Sequence, residues 1–115
     1  MDLGIQDRVA LVGGASQGIG RAVAEVLVAE GARVVITSRH AERIAGVAKE
    51  IGAVAGFAWD SADLDGAAGL LERVDDAAGP VEILVTNTGG PPANADPLSF
   101  TGEQWETAHR TLVLS

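Results

Sequence analysis

Four short apolar runs alternate with segments of helical periodicity, and that alternation is what most restricts the fold of this chain. "RVALVGG" (8–14), "RVVIT" (33–37), "VAGFAW" (54–59) and "VEILVT" (81–86) read as buried strands. Between the first two, Ile19, Ala22, Val23, Val26 and Leu27 recur at i, i+3, i+4, i+7 and i+8, which predicts one apolar helix face with Arg21, Glu25 and Glu30 outside it. Ile44, Val47, Ala48 and Ile51 mark a second helix, and Leu64, Ala67, Ala68, Leu71 and Val74 a third. Gly31, Gly52 and Gly79-Pro80 close the three helices. Strand–helix alternation repeated three times calls for right-handed crossovers and a parallel sheet, so the fold class is α/β.

After the fourth strand, "TGGPPANADPLSF" (88–100) is rich in Gly and Pro and reads as a loop. Thr101 followed by Gln104 has the form of a capping box, and Phe100 with Trp105 that of a hydrophobic staple, so a helix is expected from about 102. Trp105, Ala108 and Leu112 form its apolar face, and Trp105 is expected to pack in the core. The chain is expected to form one domain over its 115 residues, cut short inside this last helix.

Composition narrows the partners. Sixteen acidic residues against eight scattered basic ones leave a net charge of −8, which argues against a nucleic-acid surface. No apolar run is long enough to span a bilayer, and "MDLGIQDR" lacks a signal-peptide layout, so no membrane partner is expected. The absence of cysteine rules out disulfides and thiolate metal sites and fits a cytoplasmic location.

"GGASQGIG" (13–20) carries glycines in the pattern G-x-x-x-G-x-G between the first strand and the first helix. Glycines there permit a tight turn and close approach of a pyrophosphate, and the helix N-terminus adds free N–H groups and a favourable dipole. The alternative is a tight βα turn that binds nothing. The spacing differs from G-x-G-x-x-G, and no lysine follows as a Walker loop would require.

Together, "VGGASQGIG" and "ILVTNTGG" resemble the N-terminal half of a short-chain dehydrogenase/reductase of the 3-oxoacyl-carrier-protein reductase-like kind. The family pattern is T-G-x-x-x-G-x-G with Asn-Asn-Ala-Gly after strand four. Gly13 stands at the Thr position, and "TNTG" (86–89) replaces the second motif. The resemblance covers about residues 5–115 and implies a Rossmann-type doubly wound sheet of order 3-2-1-4. It implies a phosphate loop of Gly14, Ser16, Gln17, Gly18, Ile19 and Gly20, with Ser38 and Arg39 at the adenosine ribose. Asp60 and Ser61 would border the adenine, and Asn87, Thr88 and Gly89 would wall the nicotinamide-ribose side. In a 3-2-1-4 sheet the two glycine-bearing segments both follow strands at the topological switch point, where such folds bind ligands. Arg39 suits a 2′-phosphate, which favours NADP(H), with NAD(H) as the alternative. Read alone, Arg39 is equally a solvated strand-end charge, Asp60 or Ser61 a helix cap, and Asn87 a turn stabiliser.

The resemblance also implies a small carbonyl or alcohol substrate and a catalytic Ser, Tyr and Lys. This sequence has no Tyr, and its one lysine, Lys49, falls on the second helix. Ser115 precedes the strand that carries the family's Ser, and Leu112 stands where a supporting Asn usually sits. No catalytic residue is therefore assigned. The chain reads as the cofactor-binding portion of a hydride-transferring oxidoreductase, inactive alone. The alternative is a dinucleotide-binding sensor or scaffold. The apolar fourth strand, at a sheet edge, leads to the expectation of a homo-oligomer.

Overall fold

A computed structural model describes residues 4–60, 63–87 and 101–109. Four parallel strands, β1 (Val9–Val12), β2 (Arg33–Ser38), β3 (Ala55–Ala58) and β4 (Ile83–Val85), form one sheet in the order β3-β2-β1-β4. The helices α1 (Gly18–Ala29), α2 (Ala41–Ile51) and α3 (Ala67–Ala78) connect them, a 3-10 turn at Leu64–Gly66 leads into α3, and α4 (Gly102–His109) follows. This is the expected doubly wound α/β architecture. The register places Val12 between Ile36 and Val85, so β1 is flanked on both sides.

The strands read as unbroken apolar runs because both faces of the sheet are covered. Side chains alternate between faces along each strand. Ala10, Val12, Val34 and Ile36 pack with Ala24 of α1 and with Ile44, Val47 and Ala48 of α2. Val9, Leu11 and Val35 point the other way and pack with Leu70, Val74 and Ala78 of α3. The core is thus built from Val, Ile, Leu and Ala, with Phe57 and Trp59 at the margin of the second cluster.

The predicted α2 face is the observed one, with Ile44, Val47 and Ala48 buried and Ile51 packed beside them. The predicted faces of α1 and α3 are met at Leu27 and Val74 and otherwise turned by about one residue. In α1 the buried positions are Gly20 and Ala24, with Leu27 and Val28 against the core, while Ile19 is 77% and Val26 57% exposed. The cause is size: glycine and alanine let α1 lie close on the sheet, and the larger residues turn outward. In α3, Leu70, Val74 and Ala78 are buried and Leu71 is 48% exposed.

Thr101 and Gln104 form the expected capping box. The Thr101 N–H donates to Gln104 Oε1 at 2.8 Å, and the Gln104 N–H donates to Thr101 Oγ1 at 3.1 Å. Trp105, expected in the core, is 59% exposed. Its proposed staple partner Phe100, and Leu112 and Ser115, lie outside the described residues.

The helix faces can be tested by paired truncations. Leu70→Ala should lower the unfolding free energy by about 2–5 kcal/mol. Leu71→Ala, one residue on, should change it by about 0.5 kcal/mol or less. Urea titration of both variants measures the difference, and similar losses would contradict the observed orientation of α3.

Candidate functional site

β1 ends at Val12, and the loop that follows is tied to the strands on either side. The Gly13 N–H donates to the Val85 carbonyl of β4 at 3.1 Å, and the Ala15 N–H donates to the Thr37 carbonyl of β2 at 3.0 Å. Ala15 is fully buried, and Thr37 is 2% exposed. Neither figures in the glycine pattern. Their signal in the sequence is weak, because a small residue and a strand-end threonine suit many turns.

Three backbone segments converge here. Asn87, two residues past β4, donates from Nδ2 to the Gly14 carbonyl at 3.2 Å. A Cβ on Gly14 would stand 2.6 Å from the Asn87 carbonyl oxygen, and φ at Gly14 is +58°. A Cβ on Gly20 would collide with the Gly14 carbonyl oxygen and come within 2.8 Å of Asn87 Nδ2. The first and third glycines of the pattern are therefore required by packing. Gly18 differs: its φ is +64°, and a Cβ there would have nothing within 4 Å. Its wall faces open space at the first turn of α1.

The N-cap side chain leaves that first turn uncapped. Gln17 occupies the N-cap position in extended conformation, its side chain makes no capping bond, and no acidic residue lies in the first turn. The amide end of a helix carries unsatisfied N–H groups and a partial positive charge. An anion is the natural complement. The Gln17 side chain is engaged elsewhere: its Oε1 accepts from Arg43 Nη2 of α2 at 2.7 Å. Ser16 is half-buried beside it, and Ile19 is exposed.

At the end of β2, Ser38 is 9% exposed, and its Oγ accepts from the His40 N–H at 3.3 Å and donates to the His40 carbonyl at 3.4 Å. Ser38 thus braces the β2–α2 turn. Arg39 is exposed and makes no hydrogen bond or ion pair among the described residues. Arg39 also lines a shallow open depression with Trp59, Asp60, Asp63 and Arg73, on the α3 side of the sheet. Asp60 is exposed at the end of β3. The cap of the following turn is Asp63, whose Oδ1 accepts from the Gly66 N–H at 3.1 Å, so Asp60 does not fill the N-cap position. Ser61, Thr88 and Gly89 lie outside the described residues. Gly14, Ser16, Gln17, Gly18, Ile19, Gly20, Ser38, Arg39, Asp60 and Asn87 all fall at the carboxyl ends of the strands. Arg43 was not read from the sequence, since nothing in a helical Arg signals a contact 26 residues away.

Lys49 lies in the last turn of α2. Helices of βαβ units run antiparallel to their strands, so Lys49 sits at the amino end of the sheet, opposite the loop. Among the described residues no cluster of His, Asp or Glu could hold a metal ion, and no helix is long and apolar enough to cross a membrane.

The Asn87–Gly14 bond can be tested by changing its polarity. Asn87→Ala should cost about 0.5–1.5 kcal/mol of stability. Asn87→Asp should cost more at neutral pH, because an acceptor would then face the Gly14 carbonyl. Denaturant unfolding of the two variants at the same pH checks the order, and an aspartate variant as stable as wild type would show that the contact contributes nothing.

Residues 8–114 match the family model described as short chain dehydrogenase. Over 118 aligned residues the chain is 33% identical to an uncharacterized oxidoreductase, YvrD, of Bacillus subtilis, covering 100% of this chain and 44% of that protein. Over 88 residues it is 40% identical to the NADP-dependent (R)-specific alcohol dehydrogenase of Lentilactobacillus kefiri, covering 74% of this chain and 35% of that one. The crystal structure of L-sorbose reductase from Gluconobacter frateurii, complexed with NADPH and L-sorbose, superposes with a TM-score of 0.90 at 33% identity, covering 99% of this chain and 45% of that one. The chain thus spans less than half the length of these relatives. The sheet order, the glycine loop tied to β2 and β4, and these matches make the chain a member of the short-chain dehydrogenase family.

Proposed function

We propose that this chain is the nicotinamide-dinucleotide-binding portion of an oxidoreductase that acts on a small carbonyl or alcohol substrate. The observation that carries this reading is the α1 N-terminus, which has no side-chain cap and no acidic residue in its first turn, behind a Gly18 wall open to the outside. Gly14, Ser16, Gln17, Gly18, Ile19 and Gly20 would cradle the pyrophosphate. Ser38 and Arg39 would take the adenosine ribose, Asp60 and Ser61 the adenine, and Asn87, Thr88 and Gly89 the nicotinamide ribose. The bound nicotinamide would supply the hydride acceptor or donor, and the residues named here would bind and orient it.

Arg39, exposed and without a carboxylate partner among the described residues, favours NADP(H) over NAD(H). The L-sorbose reductase complex with NADPH and the NADP-dependent alcohol dehydrogenase support the same choice. The 115 residues contain no Tyr, and Lys49 lies at the far end of the sheet, so the chain by itself is read as binding without turnover. The second reading is a dinucleotide-binding sensor or scaffold. Self-association belongs to the proposal: β4 pairs with β1 alone among the described strands and leaves Leu84 63% exposed, and Trp105 is also open.

Titration with NADPH and NADH tests the binding reading. NADPH should bind roughly ten- to a hundredfold more tightly, and Arg39→Asp should abolish that preference. Gly18→Ala, whose φ of +64° costs about 1–2 kcal/mol but whose Cβ meets no protein atom, should weaken dinucleotide binding while far-UV circular dichroism stays near wild type. No NADPH oxidation is expected with carbonyl substrates. Equal affinities for the two dinucleotides in the unmodified chain would overturn the NADP(H) assignment, and unchanged affinity in the Gly18 variant would overturn the cradle. Sedimentation velocity tests the association, with a dimer or larger species expected and Leu84→Lys expected to shift it toward monomer.

A further inference from the structure

We infer that Arg43 is a second specificity-determining guanidinium, held by Gln17 beside the phosphate loop to receive the 2′-phosphate of NADP(H). This inference rests on the dinucleotide-binding reading and extends it to a residue that the glycine and strand-end motifs do not contain. Arg43 stands in the first turn of α2, immediately after the β2–α2 turn that carries Arg39. Its Nη2 donates to Gln17 Oε1 at 2.7 Å, so the side chain spans from α2 to the N-cap of α1.

The chemistry of the pair is asymmetric. A guanidinium has five N–H donors in a planar fork, and an amide oxygen uses one of them. Among the described residues Arg43 has no carboxylate partner, so its remaining donors and its whole charge stay available. Other arginines show the contrast. Arg21 is shared between Glu25 and Glu50 at 2.9 Å each, and those contacts, Glu25 first, raise its pKa. Arg8 is paired with Glu82 at 2.8 Å. Arg43 is tethered by a neutral group, which fixes its direction without cancelling its charge.

The position selects the ligand group. Arg39 and Arg43 flank the end of β2 four residues apart, one in the turn and one on the helix that follows. Gln17 borders the same end of β2 from the α1 side, since Ala15 bonds to the Thr37 carbonyl. A phosphate on the ribose at the end of β2 would lie beside the turn that carries Arg39 and the first turn of α2 that carries Arg43. A free 2′-hydroxyl would leave both guanidinium groups facing water. Glu42 and His40 are the other polar neighbours on this turn, both exposed. Glu42 opposes an anion, so discrimination must come from direct contact with the two forks.

Isothermal titration of the 115-residue chain with NADP+ and with NAD+ tests the assignment. Arg43→Gln should lower the ratio of NADP+ to NAD+ affinity by about tenfold, the size of one charge-assisted hydrogen bond. Arg43→Lys, which keeps the charge and gives up the fork, should fall between wild type and Arg43→Gln. Arg33→Gln removes the same charge at the opposite end of β2 and should leave the ratio within about twofold, since surface charges a Debye length away are screened. An unchanged ratio in Arg43→Gln would overturn the inference while leaving the function standing. Equal losses of both dinucleotides would also overturn it, because they would place Arg43 at the pyrophosphate. Failure of the unmodified chain to bind either dinucleotide would overturn the proposed function, and this inference with it.

Discussion

The Asn87 amide donates to the Gly14 carbonyl at 3.2 Å, and around that bond three backbone segments meet with no room for a side chain. The loop after β1, the first turn of α1 and the chain leaving β4 approach so closely that a methyl group on Gly14 or Gly20 would strike backbone. Packing of this kind is unforgiving, because backbone atoms, unlike the ends of side chains, cannot rotate away. The consequence is positional. Once Gly20 is held against Gly14, the N-terminus of α1 is fixed at the carboxyl edge of the sheet. The glycine pattern thus serves two purposes at once. Gly14 and Gly20 bring segments together, and Gly18 keeps the mouth open.

α4 shows what a helix start looks like when the protein itself satisfies the end. There Thr101 and Gln104 exchange bonds and occupy two donors. At α1 the equivalent polar side chain, Gln17, is turned away toward Arg43. A cap contributes about 1 kcal/mol of helix stability, so an uncapped first turn is a local cost that a bound anion would offset. The burial of Ala15 and the bonds from Gly13 and Ala15 to β4 and β2 keep the loop in place without that help.

The sequence made the sheet legible because buried parallel strands and Gly-terminated helices leave strong local signals. Val9–Val12 and Val34–Ile36 are apolar at every position, and Ile44, Val47 and Ala48 stand out against charged neighbours on α2. The faces of α1 and α3 were less legible. Gly20 and Ala24 bury their side of α1 through smallness, which hydropathy does not register, whereas Ile19 and Val26 draw the eye and lie outside. At the site, the glycines and Asn87 were legible as motif positions, but their physical roles were not. The bond from Asn87 to Gly14 joins residues 73 apart, and that from Arg43 to Gln17 joins residues 26 apart. Contacts of that kind exist only once the crossovers have brought strand ends together.

Charges of both signs stand around the strand ends on both faces of the sheet. A net charge of −8 should repel a dinucleotide at long range, yet fields from distant surface charges fade over about 8 Å at physiological ionic strength. Selection therefore depends on which groups stand within contact distance. On the α1 and α2 side those groups are amide N–H donors and the tethered Arg43. On the α3 side they are Asp60, Asp63 and Arg73, with Asp63 already committed to Gly66. Arg39 lies at the boundary, at the end of β2. Under the proposed function, the guanidinium groups would act at contact, where screening is weakest, and most of the opposing carboxylates from farther away.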